Sequence, residues 1–164
     1  MKCRACLLFR PPRQGFTVTT VKTCLSQKPT RLISVTPADS VQRALELMKE
    51  NRVRSVLVFE GEKLAGIITQ GDCAIRVLLP GLDARATRVG DIMTRDPLTV
   101  KPSDPLEACM GLMANRNIRH LPVLDGARVV GVVSIGDIVK DMIRQLGEQV
   151  SYLETYIKGH GAGY

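Results

Sequence analysis

The sequence predicts a mixed α/β fold of α+β order: two β-α-β-β-α units that share a core, then an extended C-terminal helix. Two observations carry this. "RVRSVLVFEGEKLAGIITQGDCAI" (Arg52–Ile75) and "NIRHLPVLDGARVVGVVSIGDIVK" (Asn117–Lys140) lie on each other without a gap at an offset of 65 positions. Across residues 33–72 and 98–137, eleven of forty pairs are identical, among them Arg54/Arg119, Gly66/Gly131, Gly71/Gly136 and Asp72/Asp137. Upstream the match resumes with a three-residue shift, Val21 falling on Val89.

Each copy reads the same way. A short strand comes first, "LISV" or "PLTV". A helix start follows, with Asp39 or Asp104 as its cap and Pro105 expected at the first helical position of the second copy. Val41, Ala44, Leu45 and Met48, and Leu106, Cys109, Met110 and Met113, recur at helical spacing. Two strands joined by an acidic-Gly turn come next, "EGEK" or "DGAR", which suits a hairpin. A second helix starts at the recurring Gly-Asp. One unit alone buries too little apolar surface for comfortable stability, so two are expected face to face. The chain divides into a basic tail (1–17), a first unit (18–80), a linker (81–90), a second unit (91–146) and a C-terminal helix extension and tail (147–164).

Beyond Asp137 the residues Val139, Ile143, Leu146, Val150, Leu153 and Ile157 form an a/d-like stripe. It fits a helix packed on its own domain or one that covers a second subunit. The end "KGHGAGY", which holds His160, reads as a mobile tail.

The net charge is +7, but residues 1–38 hold seven Lys/Arg and no acid, while the remaining 16 basic and 16 acidic residues cancel. The body is near neutral, and aromatics make up only 4% of the chain with no Trp. Neither fits a nucleic-acid surface or a base-stacking platform. No apolar run reaches the roughly 18–20 residues of a membrane span. The head "MKCRACLLFRPPRQG" reads as a tail, with an organellar presequence as the alternative, so the expected compartment is the cytoplasm or else the mitochondrion. Cys3 and Cys6 read as incidental thiols; Cys24, Cys73 and Cys109 read as small core residues of a reducing compartment.

The doubled pattern, with "VGDIMT", "NIRHLPV" and "GVVSIGD" in its second copy, resembles a tandem pair of CBS domains, the cystathionine-β-synthase-type regulatory modules. The resemblance spans residues 18–146, and with "YLETYIKG" the chain is similar to short stand-alone CBS-pair proteins of bacteria and plant mitochondria. It implies a pseudo-twofold pair packed through its sheets, often dimerised further. Two clefts lie between the units of such pairs, and adenine nucleotides are the common ligands. The first copy departs from the pattern at Ser55, Leu57 and "CLSQKP", which stands where the second has "IMTRDP".

On this resemblance Asp137 and Asp72 each take the ribose hydroxyls of a nucleotide, with Ser134 or Thr69 beside them. Val53, Ile118 and Pro122 sandwich the adenine, and Arg119, Arg54 and His120 meet phosphate. Ser/Thr-x-x-Asp is equally close to a capping box that needs no ligand, and the two roles are compatible. No nucleophile stands beside His120, and no second His accompanies it for a metal, so a catalytic role is not expected.

The function expected is therefore a non-enzymatic sensor that binds AMP, ADP, ATP or NAD, needs no cofactor, forms a homodimer and regulates an unidentified protein. The alternative is a protein-interaction or redox-regulator subunit with a vestigial nucleotide site.

Overall fold

The structure is a computed structural model. It describes residues 19–28 and 31–160, with side chains as far as Ser151. The pair Cys3/Cys6 and the basic head lie outside the described residues.

The elements in chain order are α1 (Val21–Ser26), β1 (Ser34–Val35), α2 (Val41–Asn51), β2 (Ser55–Glu60) and β3 (Lys63–Thr69), then α3 (Gln70–Cys73), which runs on as a π-helical turn over Ala74–Leu78. After these come α4 (Val89–Ile92), β4 (Thr94–Arg95), α5 (Leu106–Arg116), β5 (His120–Asp125), β6 (Arg128–Ser134) and α6 (Ile135–His160). The first sheet has the order β1-β2-β3-β4, with β1 parallel to β2 and the other pairs antiparallel. In the second half β5 and β6 form an antiparallel pair, and Val100 bridges Val123 in parallel where β1 pairs in the first.

The repeat extends to backbone detail. Both hairpins turn on a glycine in the left-handed region, Gly61 (φ 63°) and Gly126 (φ 62°), as a two-residue hairpin loop demands. Both break register two pairs before the turn, between Val58 and Phe59 and between Val123 and Leu124. The helices α2 and α5 end on equivalent left-handed residues, Arg52 and Asn117.

Each unit is completed by a helix from elsewhere in the chain. The N–H of Val21 donates to Asp104 O (2.9 Å), and that of Val89 donates to Asp39 O (2.8 Å). In return Leu106 donates to Thr19 O (3.0 Å) and Val41 to Thr87 O (3.0 Å). Val21 and Cys24 are buried among Leu106, Cys109, Met113 and Val133 of the second core. Val89, Ile92 and Met93 are buried among Val41, Met48, Val56 and Ile68 of the first. Helix α1, at the head of the first unit, thus fills the second core, and helix α4, at the junction of linker and second unit, fills the first.

This crossing changes how the helices start. In place of Asp39, Ser40 caps α2, its hydroxyl accepting from Arg43 N–H (3.2 Å). Asp39 instead accepts from the N–H of Thr36 (2.6 Å), and Asp104 from that of Lys101 (2.8 Å). Pro105 is the extended residue before α5 rather than its first helical residue, and α5 has no side-chain cap. The Thr19 carbonyl takes the first free N–H of α5, that of Leu106.

A third cluster joins the units. Leu57 and Ile67 of the first sheet meet Val129 of the second, flanked by Phe59, Leu64, Leu124 and Val132. Both sheets are therefore apolar on two faces, one toward their helices and one toward each other. Helix α6 continues through Lys158, Gly159 and His160, where a mobile tail was expected. The side chains of Val139, Ile143, Leu146 and Val150 are exposed and leave the stripe open; Leu153 and Ile157 lie beyond the described side chains. Cys24, Cys73 and Cys109 are free and buried, and burial pushes the Cys73 and Cys109 thiols up to about 11.

The crossing also makes two glycines necessary. A Cβ on Gly66 would lie 2.6 Å from the Thr94 carbonyl oxygen and 2.9 Å from Met93 Sδ, and one on Gly131 would lie 2.9 Å from Leu25 Cδ2. Backbone cannot yield as a leucine side chain can. Gly66→Ala is therefore expected to cost about 1–3 kcal/mol in urea unfolding. Gly131→Ala should cost less, and adding Leu25→Ala should relieve its steric part. Equal losses for the two glycines would contradict the packing described.

Candidate functional site

A cleft of about 810 Å³ opens between the units. That size suits a small-molecule ligand. Its wall is built by four chain segments brought together by the crossing. The α2–β2 connection brings Arg52, Val53 and Arg54, and the β6–α6 junction brings Ser134, Gly136 and Asp137. The stretch after α1 brings Lys28, Arg31 and Ile33, while Arg119 and His120 enter from the start of β5.

The β6–α6 junction is held by reciprocal bonds. Asp137 Oδ2 accepts from Ser134 N–H (2.8 Å) and Ser134 Oγ (2.6 Å), and Ser134 Oγ accepts from Asp137 N–H (3.3 Å). The β3–α3 junction repeats this with Thr69 and Asp72, at 2.9, 2.7 and 3.2 Å. Both Thr/Ser-x-Gly-Asp motifs are thus capping boxes in fact. The glycine within each is not demanded by the protein's own packing. A Cβ on Gly136 would meet only Ser134 Oγ, at an ordinary 3.7 Å.

A third donor reaches the Asp137 carboxylate. The Lys28 ammonium bonds its Oδ2 and also donates to the Val132 carbonyl (3.2 Å). Burial pushes the Asp137 carboxyl up, yet the bonds from Lys28 and Ser134 outweigh it and hold the carboxyl below its ordinary 3.8. Burial lowers the His120 imidazole below its ordinary 6.5; Asp137 opposes this, and Lys28, Arg119 and Arg54 lower it further. His120 is therefore neutral at pH 7.

Of the residues expected at a nucleotide site, this cleft gathers Asp137, Ser134, Arg119, His120, Arg54 and Val53. The other four lie elsewhere. Ile118 packs on the second core, and Pro122 is buried in β5 opposite Val132. Asp72 and Thr69 stand at the start of α3, where Asp72 Oδ1 is 3.9 Å from Arg76 Nε. Sequence reasoning missed Lys28, Arg31, Arg52 and Lys140, which also line the cleft. The signal for Lys28 was present: "CLSQKP" against "IMTRDP" sets Lys28 where the other copy has Asp96. Among the described residues no group of three or more His, Cys, Asp or Glu could hold a metal ion, and no helix is long and apolar enough to cross a membrane.

Two crossed units, each closed by the other's leading helix, around a cleft with an acidic helix start define a tandem CBS pair. The CBS-domain family model matches residues 28–78 and 89–144, and the chain belongs to that family. It is 33% identical over 159 residues to the CBS domain-containing protein CBSX3, mitochondrial, of Arabidopsis thaliana, covering 92% of this chain and 77% of that one. A CBS-domain protein of Burkholderia ambifaria superposes with a TM-score of 0.75 at 43% identity, over 77% of this chain and 95% of its own. The CBS pair of protein MJ0100, solved with 5′-methylthioadenosine and S-adenosyl-L-methionine, gives 0.69 at 30% identity, over 78% and 98%.

The lowered His120 value fixes the sign of a pH effect. A group that resists protonation in the folded state contributes stability at pH values above its unfolded pKa. That contribution is lost as pH falls below about 6.5, down to the folded value. Stability measured by urea unfolding from pH 7.5 to 5 should fall for the wild type and fall less for His120→Gln. A His120 resonance titrating above 6.5 would contradict the assignment.

Proposed function

We propose that this CBS pair is a regulatory module that binds an adenine nucleotide in the Asp137 cleft and carries no catalytic activity of its own. The observation that carries the reading is one wall of that cleft. A capped helix start offers the Asp137 carboxylate, Val53 and Ile33 offer apolar surface, and Arg54 and Arg119 offer charge. Those are the parts a ribose, a purine and a phosphate need, and Asp137 Oδ1 has no hydrogen-bond partner among the described residues. The adenosine compounds in the MJ0100 pair support it. Ligand binding would act by favouring one packing of the two units over another, by as much as its affinities for them differ.

Calorimetric titration with AMP, ATP and NAD tests this. Binding of at least one is expected, with a loss of about tenfold or more in Asp137→Ala, the effect of losing a hydrogen bond to a charged group. Heat from none of the three would overturn it. The variant also loses its cap, at about 0.5–2 kcal/mol, so circular dichroism must first show that it is folded.

The second subunit is the partner best supported. Ile75, Leu78, Leu79 and Leu82 beyond α3 are 52–79% exposed, and the α6 residues Val139, Met142, Ile143, Leu146 and Val150 are 44–64% exposed. These segments occupy equivalent places in the two units, so a second copy can lay one set on the other under a twofold axis. The protein is expected to sediment as a dimer at micromolar concentration, and Leu79→Glu with Leu146→Glu should sediment as a monomer. A wild-type monomer would instead favour an interaction or redox-regulator role, with a different protein on these faces. The mitochondrial relative supports the organellar alternative for the compartment over the cytoplasm.

A further inference from the structure

The arms that cross between units follow an offset of 68, not 65. Packing confirms that register. Leu25 presses on Gly131 as Met93 presses on Gly66, each at 2.9 Å from where a Cβ would stand. Three residues on, Lys28 holds the place of Asp96. The two halves therefore differ in charge at one equivalent point. Lys28 reaches across to Asp137 and to the Val132 carbonyl. Asp96 is exposed, and the cation facing Asp72 is Arg76 of its own helix, which donates to the Ile92 carbonyl (3.0 Å).

The consequence concerns Asp137. Its Oδ2 already accepts from Lys28 and twice from Ser134, so a ribose that engages both carboxylate oxygens must displace the ammonium, and one held by Oδ1 alone meets a charge already neutralised. Among the described residues Asp137 is also the only acid lining the cleft, whereas Arg31, Arg52, Arg54, Arg119 and Lys140 line it beside Lys28. A neutral nucleoside gives the released ammonium nothing in return. A chain of phosphates does, and the long stem of Lys28 allows the move.

Resting on the function proposed above, we propose that Lys28 is the specificity residue of this cleft. It closes Asp137 against neutral nucleosides and transfers to phosphate when the ligand is a nucleoside polyphosphate. The selectivity belongs to this half of the pair, because the equivalent position in the other half is acidic.

The test is titration of wild type, Lys28→Ala and Lys28→Arg with adenosine, AMP, ATP and inorganic tripolyphosphate. The wild type should bind ATP more tightly than AMP, and AMP more tightly than adenosine. Lys28→Ala should bind adenosine more tightly and ATP about tenfold or more weakly, since one charge-assisted bond is gone and a bare carboxylate remains. Lys28→Arg should keep the wild-type order. Parallel weakening of adenosine and ATP by the same factor would reduce Lys28 to a structural prop and overturn the proposal. Tripolyphosphate, which has no ribose, separates the two readings. If no adenosine compound binds but tripolyphosphate binds and weakens in Lys28→Ala, the nucleotide reading fails and the anion selectivity stands. Unchanged tripolyphosphate affinity in that variant would remove the selectivity as well.

Discussion

Everything in this fold depends on the reciprocal crossing of two short helices. Val21 is fully buried in a core assembled mostly from residues beyond 100, and Val89 in one assembled mostly from residues before 80. Neither half can close by itself, because its helix slot is filled from outside. Four backbone hydrogen bonds, between Val21, Asp104, Leu106 and Thr19 and between Val89, Asp39, Val41 and Thr87, fix the crossings. They also supply an acceptor to the first N–H of each of four helices, α1, α2, α4 and α5. With the arms exchanged, the two sheets must face each other, and Leu57, Ile67 and Val129 seal the contact.

The cleft follows from the same constraint. Its wall needs the α2–β2 connection of one unit and the β6–α6 junction of the other, which only the paired arrangement brings together. The junction itself has a structural role first. Ser134 and Asp137 satisfy each other and the helix start whether or not anything is bound. Such a cap holds a carboxylate in a fixed orientation at the mouth of a cleft. Pre-organisation of this kind would let one residue serve stability and the proposed recognition together.

Much of this was legible in the sequence, and for stated reasons. The hairpins announced themselves through Gly61 and Gly126, because a two-residue loop needs a positive φ. The helices α2 and α5 showed through apolar spacing at Val41, Ala44 and Met48 and at Leu106, Cys109 and Met113, all of which are buried. What stayed hidden was tertiary. A self-match tells which residues are equivalent and not which are neighbours, so Val21 on Val89 gave the shift without the exchange. Asp39 and Asp104 looked like caps, since nothing local showed that Ser40 or the Thr19 carbonyl would take that role. The end "KGHGAGY" read as a mobile tail, but one glycine costs only about 1 kcal/mol against alanine, and α6 runs through Gly159 to His160. For the site, Asp137, Ser134, Arg54 and Val53 were found from the motif, whereas Ile118 and Pro122 are turned to the interior by strand and core positions that the motif does not specify.

Duplication fixes geometry more strictly than it fixes charge. The two halves share bulges, turn glycines, left-handed helix ends and capping boxes, because each is a backbone requirement repeated in register. Polar positions at the rim carry no such requirement. Lys28 faces Asp96 across the pseudo-twofold relation, and Arg76 faces Asp141 in the same way at the offset of 65. Arg76 sits beside Asp72 on its own helix, while Asp141 is buried and bonded to Arg144 and Gln145. A symmetric frame has thereby been given two chemically different ends. One crossing arm brings Lys28 to the aspartate at the start of α6, whereas the aspartate at the start of α3 faces Arg76 of its own helix, and this difference in partner, not the fold, is what sets the two helix starts apart.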